Sequence, residues 1–281
     1  MIEAGSLGEV HNGMSVRNGY DERDPVPRTV TGKVVELFRA FTPEHPELSL
    51  SDIAHRSGLA MTTAHRLVGE LVASGLLERG ANRRYRIGLR LWEVASLAPR
   101  GMALRETALP FMEDLYEVTR ENVQLAVREG TEVVFVERIA GRHAVSVRTR
   151  VGGRFPISAT GVGLVLLAHA PVADQERVLS STLPRFTSKT ITDPTELRGK
   201  LADVRKYGFA ISAGQVTRDA LSVAAPIFGR DGVIAALSLV VREEDARPMS
   251  LAPLLQTAAR GISRMLDANA LGSQSDRTGS H

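Results

Sequence analysis

Near the start of the chain, apolar residues recur at helical spacing three times in succession. Val34, Val35, Leu37, Phe38 and Phe41 form the first run, and Pro43 and Pro46 close it because proline cannot continue a helix. Ser49 precedes the second run, Leu50-Ser51-Asp52-Ile53-Ala54. There the serine hydroxyl can accept from the third helical N–H while Asp52 reaches back, a variant of the capping box. This second helix is expected to end at Gly58, where freedom to take positive φ suits a tight turn. A third helix is predicted from Met61 to Ser74, with Ala64, Leu67, Val68, Leu71 and Val72 inward and Gly75 as its stop.

The pattern then changes to that of strands. Leu76–Arg79 and Arg84–Ile87 read as a hairpin turned by Gly80-Ala81-Asn82-Arg83, with Tyr85 and Ile87 on one face. Two helices joined by a short glycine-containing turn and followed by a basic hairpin are the spacing of a winged helix-turn-helix. The first residues of the second helix of such a motif enter the major groove of DNA. That places Met61, Thr62, Thr63, His65 and Arg66 nearest to bases and phosphates, with Thr62, Thr63 and Arg66 foremost. His65 reads equally well as a surface histidine. Arg83, Arg84 and Arg86 on the wing suit phosphates or a minor groove. The charge distribution agrees: residues 27–90 hold ten basic side chains against six acidic, whereas the whole chain is only +3.

From Leu89 to Leu104 the pattern is that of a linker helix, interrupted by Pro99 and Gly101. Its single tryptophan, Trp92, is placed either to join two copies or to pack on its own winged domain. A helix follows from Arg105 to Thr119. A hairpin is predicted over Asn122–Val127 and Glu132–Glu137, and a further strand over Ala144–Arg148. Gly152–Pro156 leads into a loop and then a helix opening near Ser158–Gly163. Two more helices, around Asp174–Ser180 and Asp193–Tyr207, precede strands at Gly208–Ser212, Leu221–Phe228 and Val233–Val241, and a last helix spans Leu251–Leu266. The fold class is α+β, with helices covering an antiparallel sheet. The expected organisation is an arm without structure at 1–26, a winged helix-turn-helix at 27–88, a linker helix at 89–104, a second domain at 105–268 and an unstructured tail at 269–281.

Composition narrows the chemistry. With 43% hydrophobic and 24% charged residues the chain can bury a real core. No cysteine is present, which excludes disulfides, thiolate metal sites and a cysteine nucleophile, and suits a reducing compartment. No secretory signal pattern and no run of about 18 apolar residues occurs, so a cytoplasmic protein away from membranes is expected. His11, His45, His55, His65, His143, His169 and His281 form no metal-ligand spacing. No Gly-x-Ser-x-Gly elbow is present, and no metal, cofactor or catalytic group is expected. An architectural DNA binder would leave about 160 residues after the linker without a purpose, so a domain that senses a small molecule is the better reading.

The segments LSLSDIAHRSGLAMTTAHRLVGELVASGLLERG, NRRYRIGLRL, GGRFPISATGVGLVLLAH, TDPTELRGKLADVRKYGFAIS and VAAPIFGRDGVIAALSLV resemble, in order, the signatures of the IclR family of bacterial transcriptional regulators. The resemblance covers about Thr29 to Leu266. It implies a winged helix-turn-helix that binds double-stranded operator DNA, a linker helix and a GAF-like effector domain, assembled as a homodimer or a dimer of dimers. Members act as repressors or activators. The family's effector pocket falls on Ala159, Thr160 and Gly161 before a helix, and on Ser212, Ser222 and Ser238. A frequent histidine is Ser158 here, a frequent acid is Ser212, and a frequent cysteine is Ser222. Such a pocket offers hydroxyls and backbone N–H groups rather than a side-chain charge. The expected effector is neutral or carries one carboxylate at the Ala159–Gly161 helix start, as a carboxylate or aromatic metabolite, with its body against strands near Leu237 and Leu239 and Ser238 orienting it.

Overall fold

The computed structural model describes residues 29–98, 101–142 and 144–278, so the arm expected at 1–26 lies outside the described residues. Three helices come first. Helix α1 (Val30–Arg39) begins where the Thr29 hydroxyl accepts from the Gly32 N–H at 3.1 Å. In α2 (Leu50–Ser57) the capping box forms as expected, Ser49 Oγ accepting from the Asp52 N–H while Asp52 accepts from the Ser49 N–H. Gly58 takes φ +68° and turns the chain into α3 (Met61–Ala73). Leu37, Ile53, Leu67 and Leu77 meet in one fully buried core. Burial of each leucine-sized side chain is worth about 1.5–3 kcal/mol, which a domain of this size needs when it has neither disulfide nor metal.

The wing consists of β1 (Leu77–Arg79) and β2 (Tyr85–Ile87), paired antiparallel with Glu78 opposite Arg86. Leu48 adds a third rung, exchanging both backbone hydrogen bonds with Tyr85 at 2.9 and 2.7 Å. The linker differs from the expected helix over 89–104. Helix α4 (Leu89–Ala95) is only seven residues long, the chain turns after it, and Met102–Leu104 already belong to α5 (Met102–Thr119). The sequence supplies the reason, since proline at 99 lacks a donor and disfavours helix at the residue before it. Leu104 packs in the second domain's core.

That domain is a six-stranded antiparallel sheet between two layers of helices. In chain order come β3 (Asn122–Glu129), β4 (Glu132–Ile139), β5 (Arg154–Pro156), α6 (Gly161–Ala168), α7 (Val172–Leu179), α8 (Pro194–Tyr207), β6 (Ala210–Ala213), β7 (Ala220–Gly229), β8 (Gly232–Arg242) and α9 (Pro248–Thr278). The strand order is β5-β4-β3-β8-β7-β6. Because side chains alternate along a strand, Leu221, Val223, Ala225 and Ile227 of β7 and Leu237 and Leu239 of β8 face α5 and α9, while Ala224 and Ala236 face α6 to α8.

Two expectations are corrected in this domain. Ala144–Arg148 is not a strand but an irregular strap, held by side chains instead of a ladder: Asn122 Nδ2 donates to Val145 O at 2.9 Å. Glu132–Val134 of β4 pair instead with Arg154–Pro156, a segment the sequence places before a loop without assigning it a strand. The last helix also runs beyond Leu266 to Thr278, so most of the tail expected at 269–281 is helical.

Candidate DNA-reading surface and effector cavity

Helix α3 sorts its residues by period. Ala64, Leu67, Val68 and Leu71 are buried, which leaves Met61, Thr62, His65 and Arg66 exposed and Thr63 half-buried on the opposite side. Arg66 is already oriented by an ion pair with Glu70 at 2.5 Å, one turn on. The three wing arginines have different surroundings. Arg83 occupies the turn at φ +60°. Arg84 donates from Nη1 to Glu47 O at 3.1 Å, tying the wing tip to the loop before α2. Arg86 is paired across the hairpin with Glu78 at 2.8 Å, and that hydrogen bond, with a second from the Leu89 N–H, holds the Glu78 carboxyl below its ordinary range. Arg86 must exchange this exposed pair to meet a phosphate.

In the second domain all six sequence-expected positions converge. Ala159, Thr160, Gly161, Ser212, Ser222 and Ser238 line one small cavity of about 50 Å³. The strand register explains why. Gln124 lies opposite Ser238, Ser238 opposite Ala224, Val240 opposite Ser222, and Ser222 opposite Ser212, so two neighbouring cross-strand rows look out from the α6 side of the sheet. Above them sits the start of α6. Thr160 caps it, its Oγ1 accepting from the Gly163 N–H at 3.0 Å, and the N–H groups of Gly161 and Val162 are among those that no helical carbonyl can reach. Gly161 lets this turn touch the sheet: a Cβ there would lie 2.7 Å from Ser222 Oγ. At Gly163 a Cβ would lie 2.0 Å from Ile157 O.

The strap closes another side, contributing Val147 and Thr149. Gln124 Nε2 donates to Thr149 Oγ1 at 2.7 Å, and Arg138 donates to Thr149 O and to Asn122 Oδ1. Burial pushes the Arg138 guanidinium pKa down, yet it stands behind the wall, and among the described residues no charged side chain lines the cavity itself. Ser238 Oγ and Gln215 Oε1, both in the lining, are buried without a hydrogen-bond partner. A site of this make-up suits a small, largely apolar molecule met by a few placed polar groups.

Three sequence expectations do not hold here. Ser158 turns away from the cavity, into a groove beside Arg154 and Glu132. Leu237 and Leu239 are fully buried on the other face of the sheet, and Val240 takes the lining place instead. Their neighbour Ser238 already implied this, since adjacent strand residues cannot share a face. Sequence reading also missed Gln124, Thr149, Gln215 and Thr217. Alternation along β3 could have found Gln124, but no local signal marks the other three.

Two structural units, a helix-turn-helix with a wing and a domain with a cavity lined by polar and apolar groups, define a ligand-responsive transcriptional regulator. Residues 30–81 match the IclR helix-turn-helix domain and residues 98–264 the bacterial transcriptional regulator IclR C-terminal domain. The chain belongs to the IclR family, whose members join a DNA-binding domain to an effector-binding one, and it is a regulator rather than an enzyme. Among similar proteins, KipR of Bacillus subtilis is 32% identical over 83% of this chain and 95% of its own length. XynR of Escherichia coli is 29% identical over the same shares. An IclR homolog from Microbacterium hydrocarbonoxydans, solved in complex with 4-hydroxybenzoate, is 41% identical with a TM-score of 0.80, covering 83% of this chain and 97% of that one. Among the described residues no helix is long and apolar enough to cross a membrane.

Proposed function

We propose that the chain reads operator DNA with the start of α3 and responds to a small aromatic monocarboxylate held in the cavity. The observation that carries this reading is a lining without charged side chains, with the start of α6 as its source of N–H donors. A carboxylate at that helix start is stabilised by the unsatisfied N–H groups and the helix dipole, and an aromatic ring suits Phe135, Val147 and Val240. The Microbacterium relative bound to 4-hydroxybenzoate supports the same ligand class. Thr62, Thr63 and Arg66 meet base edges beside Met61 and His65, and Arg83, Arg84 and Arg86 meet phosphates. Two copies join through α4, which buries none of its own residues and leaves Leu89, Trp92 and Val94 exposed. Action on DNA places the protein in the bacterial cytoplasm.

Mobility-shift titration on DNA from upstream of the chain's own coding region tests this. 4-Hydroxybenzoate is expected to change operator affinity by at least about fivefold, the lower end of ordinary coupling between sites. Arg66→Ala should relax base preference at one position, while Arg84→Ala should weaken all sequences alike and reduce the salt slope by about one unit. No response to the ligand would overturn the effector class, and equal losses on specific and random DNA for Arg66→Ala would overturn its base-reading role.

A further inference from the structure

The two unpartnered oxygens of the cavity differ in what they ask of a ligand. Ser238 Oγ belongs to a hydroxyl, which rotates and either donates or accepts. Gln215 Oε1 only accepts. The loop that carries Gln215 is pinned from behind: Thr190 Oγ1 donates to Gln215 O at 2.6 Å, and Thr187 Oγ1 donates to Gly214 O at 2.6 Å. Thr190 Oγ1 also accepts from the N–H groups of Phe186 and Thr187, so both loops are held as one unit. Gln215 is only 5% exposed and its carbonyl oxygen has no partner. Native chains rarely keep a buried acceptor unpaired unless it has a use.

We infer that Gln215 is a specificity-determining residue, its Oε1 accepting a hydrogen bond from a hydroxyl on the effector. The inference rests on the aromatic monocarboxylate reading above and adds to it a second polar point on the ligand. An ionised carboxylate is acceptor-only and gains nothing against a carbonyl oxygen. The carboxylate end therefore goes to the N–H groups at the start of α6, and the donor end goes to Gln215. A site built to meet a hydroxyl rejects the analogue lacking it far more strongly than an apolar pocket rejects a missing methylene.

Calorimetry on the full chain with 4-hydroxybenzoate and with benzoate, for wild type and Gln215→Met, tests the inference. Methionine keeps the side chain's length and removes the acceptor. Wild type is expected to prefer 4-hydroxybenzoate by about tenfold or more. In Gln215→Met the affinity for benzoate should stay within about threefold of wild type and the preference should vanish. The ligand-free variant should melt at the wild-type temperature or above it, because an unsatisfied buried group has been removed. A preference that survives in Gln215→Met overturns the inference, as does equal loss of both ligands or a melting temperature lowered by more than about 5 °C. Wild type binding both ligands equally overturns the role of Gln215 alone. Wild type binding neither overturns the effector class as well.

Discussion

Replacing Gly163 by alanine should unfold the effector domain at a lower temperature, whereas the same change two residues earlier should spare stability and damage the cavity. All eight residues of α6 are buried, so the helix has no freedom to lift away. A methyl at Gly163 would stand 2.0 Å from Ile157 O and 2.8 Å from Ile157 C, both backbone atoms that cannot rotate aside. Overpacking of this kind costs about 1–3 kcal/mol. The same methyl lies 2.8 Å from Thr160 Oγ1, the cap of the helix, and losing a cap costs about 1 kcal/mol more. Alanine's better helix propensity returns about 1 kcal/mol. The net loss is about 1–3 kcal/mol, or about 2–12 °C in melting temperature for a domain of this size. At Gly161 the methyl meets no backbone atom: Ser222 Oγ, at 2.7 Å, can rotate away, and Ser222 Cβ, at 3.2 Å, needs to give by only a few tenths of an ångström. Gly161→Ala should therefore melt within about 2 °C of wild type yet bind 4-hydroxybenzoate at least about tenfold more weakly, because the added methyl occupies the contact between helix start and sheet. Differential scanning calorimetry and ligand titration read both effects. A Gly163→Ala variant as stable as wild type, or two variants with equal melting temperatures, would refute the reasoning.

Other consequences follow from the N-terminal half. Trp92→Glu should shift the protein toward monomer in sedimentation velocity. Covering half of a tryptophan contributes about 2–3 kcal/mol per copy, and a two-fold interface counts it twice; unchanged oligomeric state would remove α4 from the interface. For Asp52, hydrogen bonds from the Ser49 side chain and then its backbone lower the carboxyl pKa below 3.8. Its folded value is thus depressed, and its contribution is fully present above the ordinary value and lost as pH falls through the folded one. The melting-temperature gap between wild type and Asp52→Asn should be constant near neutrality and close below about pH 4; a gap that widens on acidification would contradict the assignment.

Much of the fold is legible in sequence because it is decided locally. The Ser49 and Asp52 capping box, the αL turn at Gly58 and the outward Thr62, His65 and Arg66 follow from spacing within a single helix or turn. The hairpin of β7 and β8 follows from alternation about Gly229–Gly232. The six cavity positions were reached through family resemblance, and the register then brought them to one face. Local pattern failed where partners are distant. Ala144–Arg148 has the composition of a strand, but it crosses the face of the sheet, Val145 packing on Ala220 and Val240, where no strand edge is offered to it. Likewise α4 has apolar spacing without a core to bury it, because its neighbours in the chain turn away.

The sequence by itself determined most of the helices, the wing and the β7–β8 hairpin, their order and the outward face of α3, since each depends on contacts a few residues apart. Only the tertiary structure decided which polar groups enter the cavity. Gln215 carries no local mark; Thr187 and Thr190, more than twenty residues away, hold its loop. Thr149 reaches the cavity because Gln124 and Arg138 on two other strands hold the strap over the sheet. Such placements come from the register of strands and from side-chain hydrogen bonds between distant loops, which the periodicity of a single segment cannot encode.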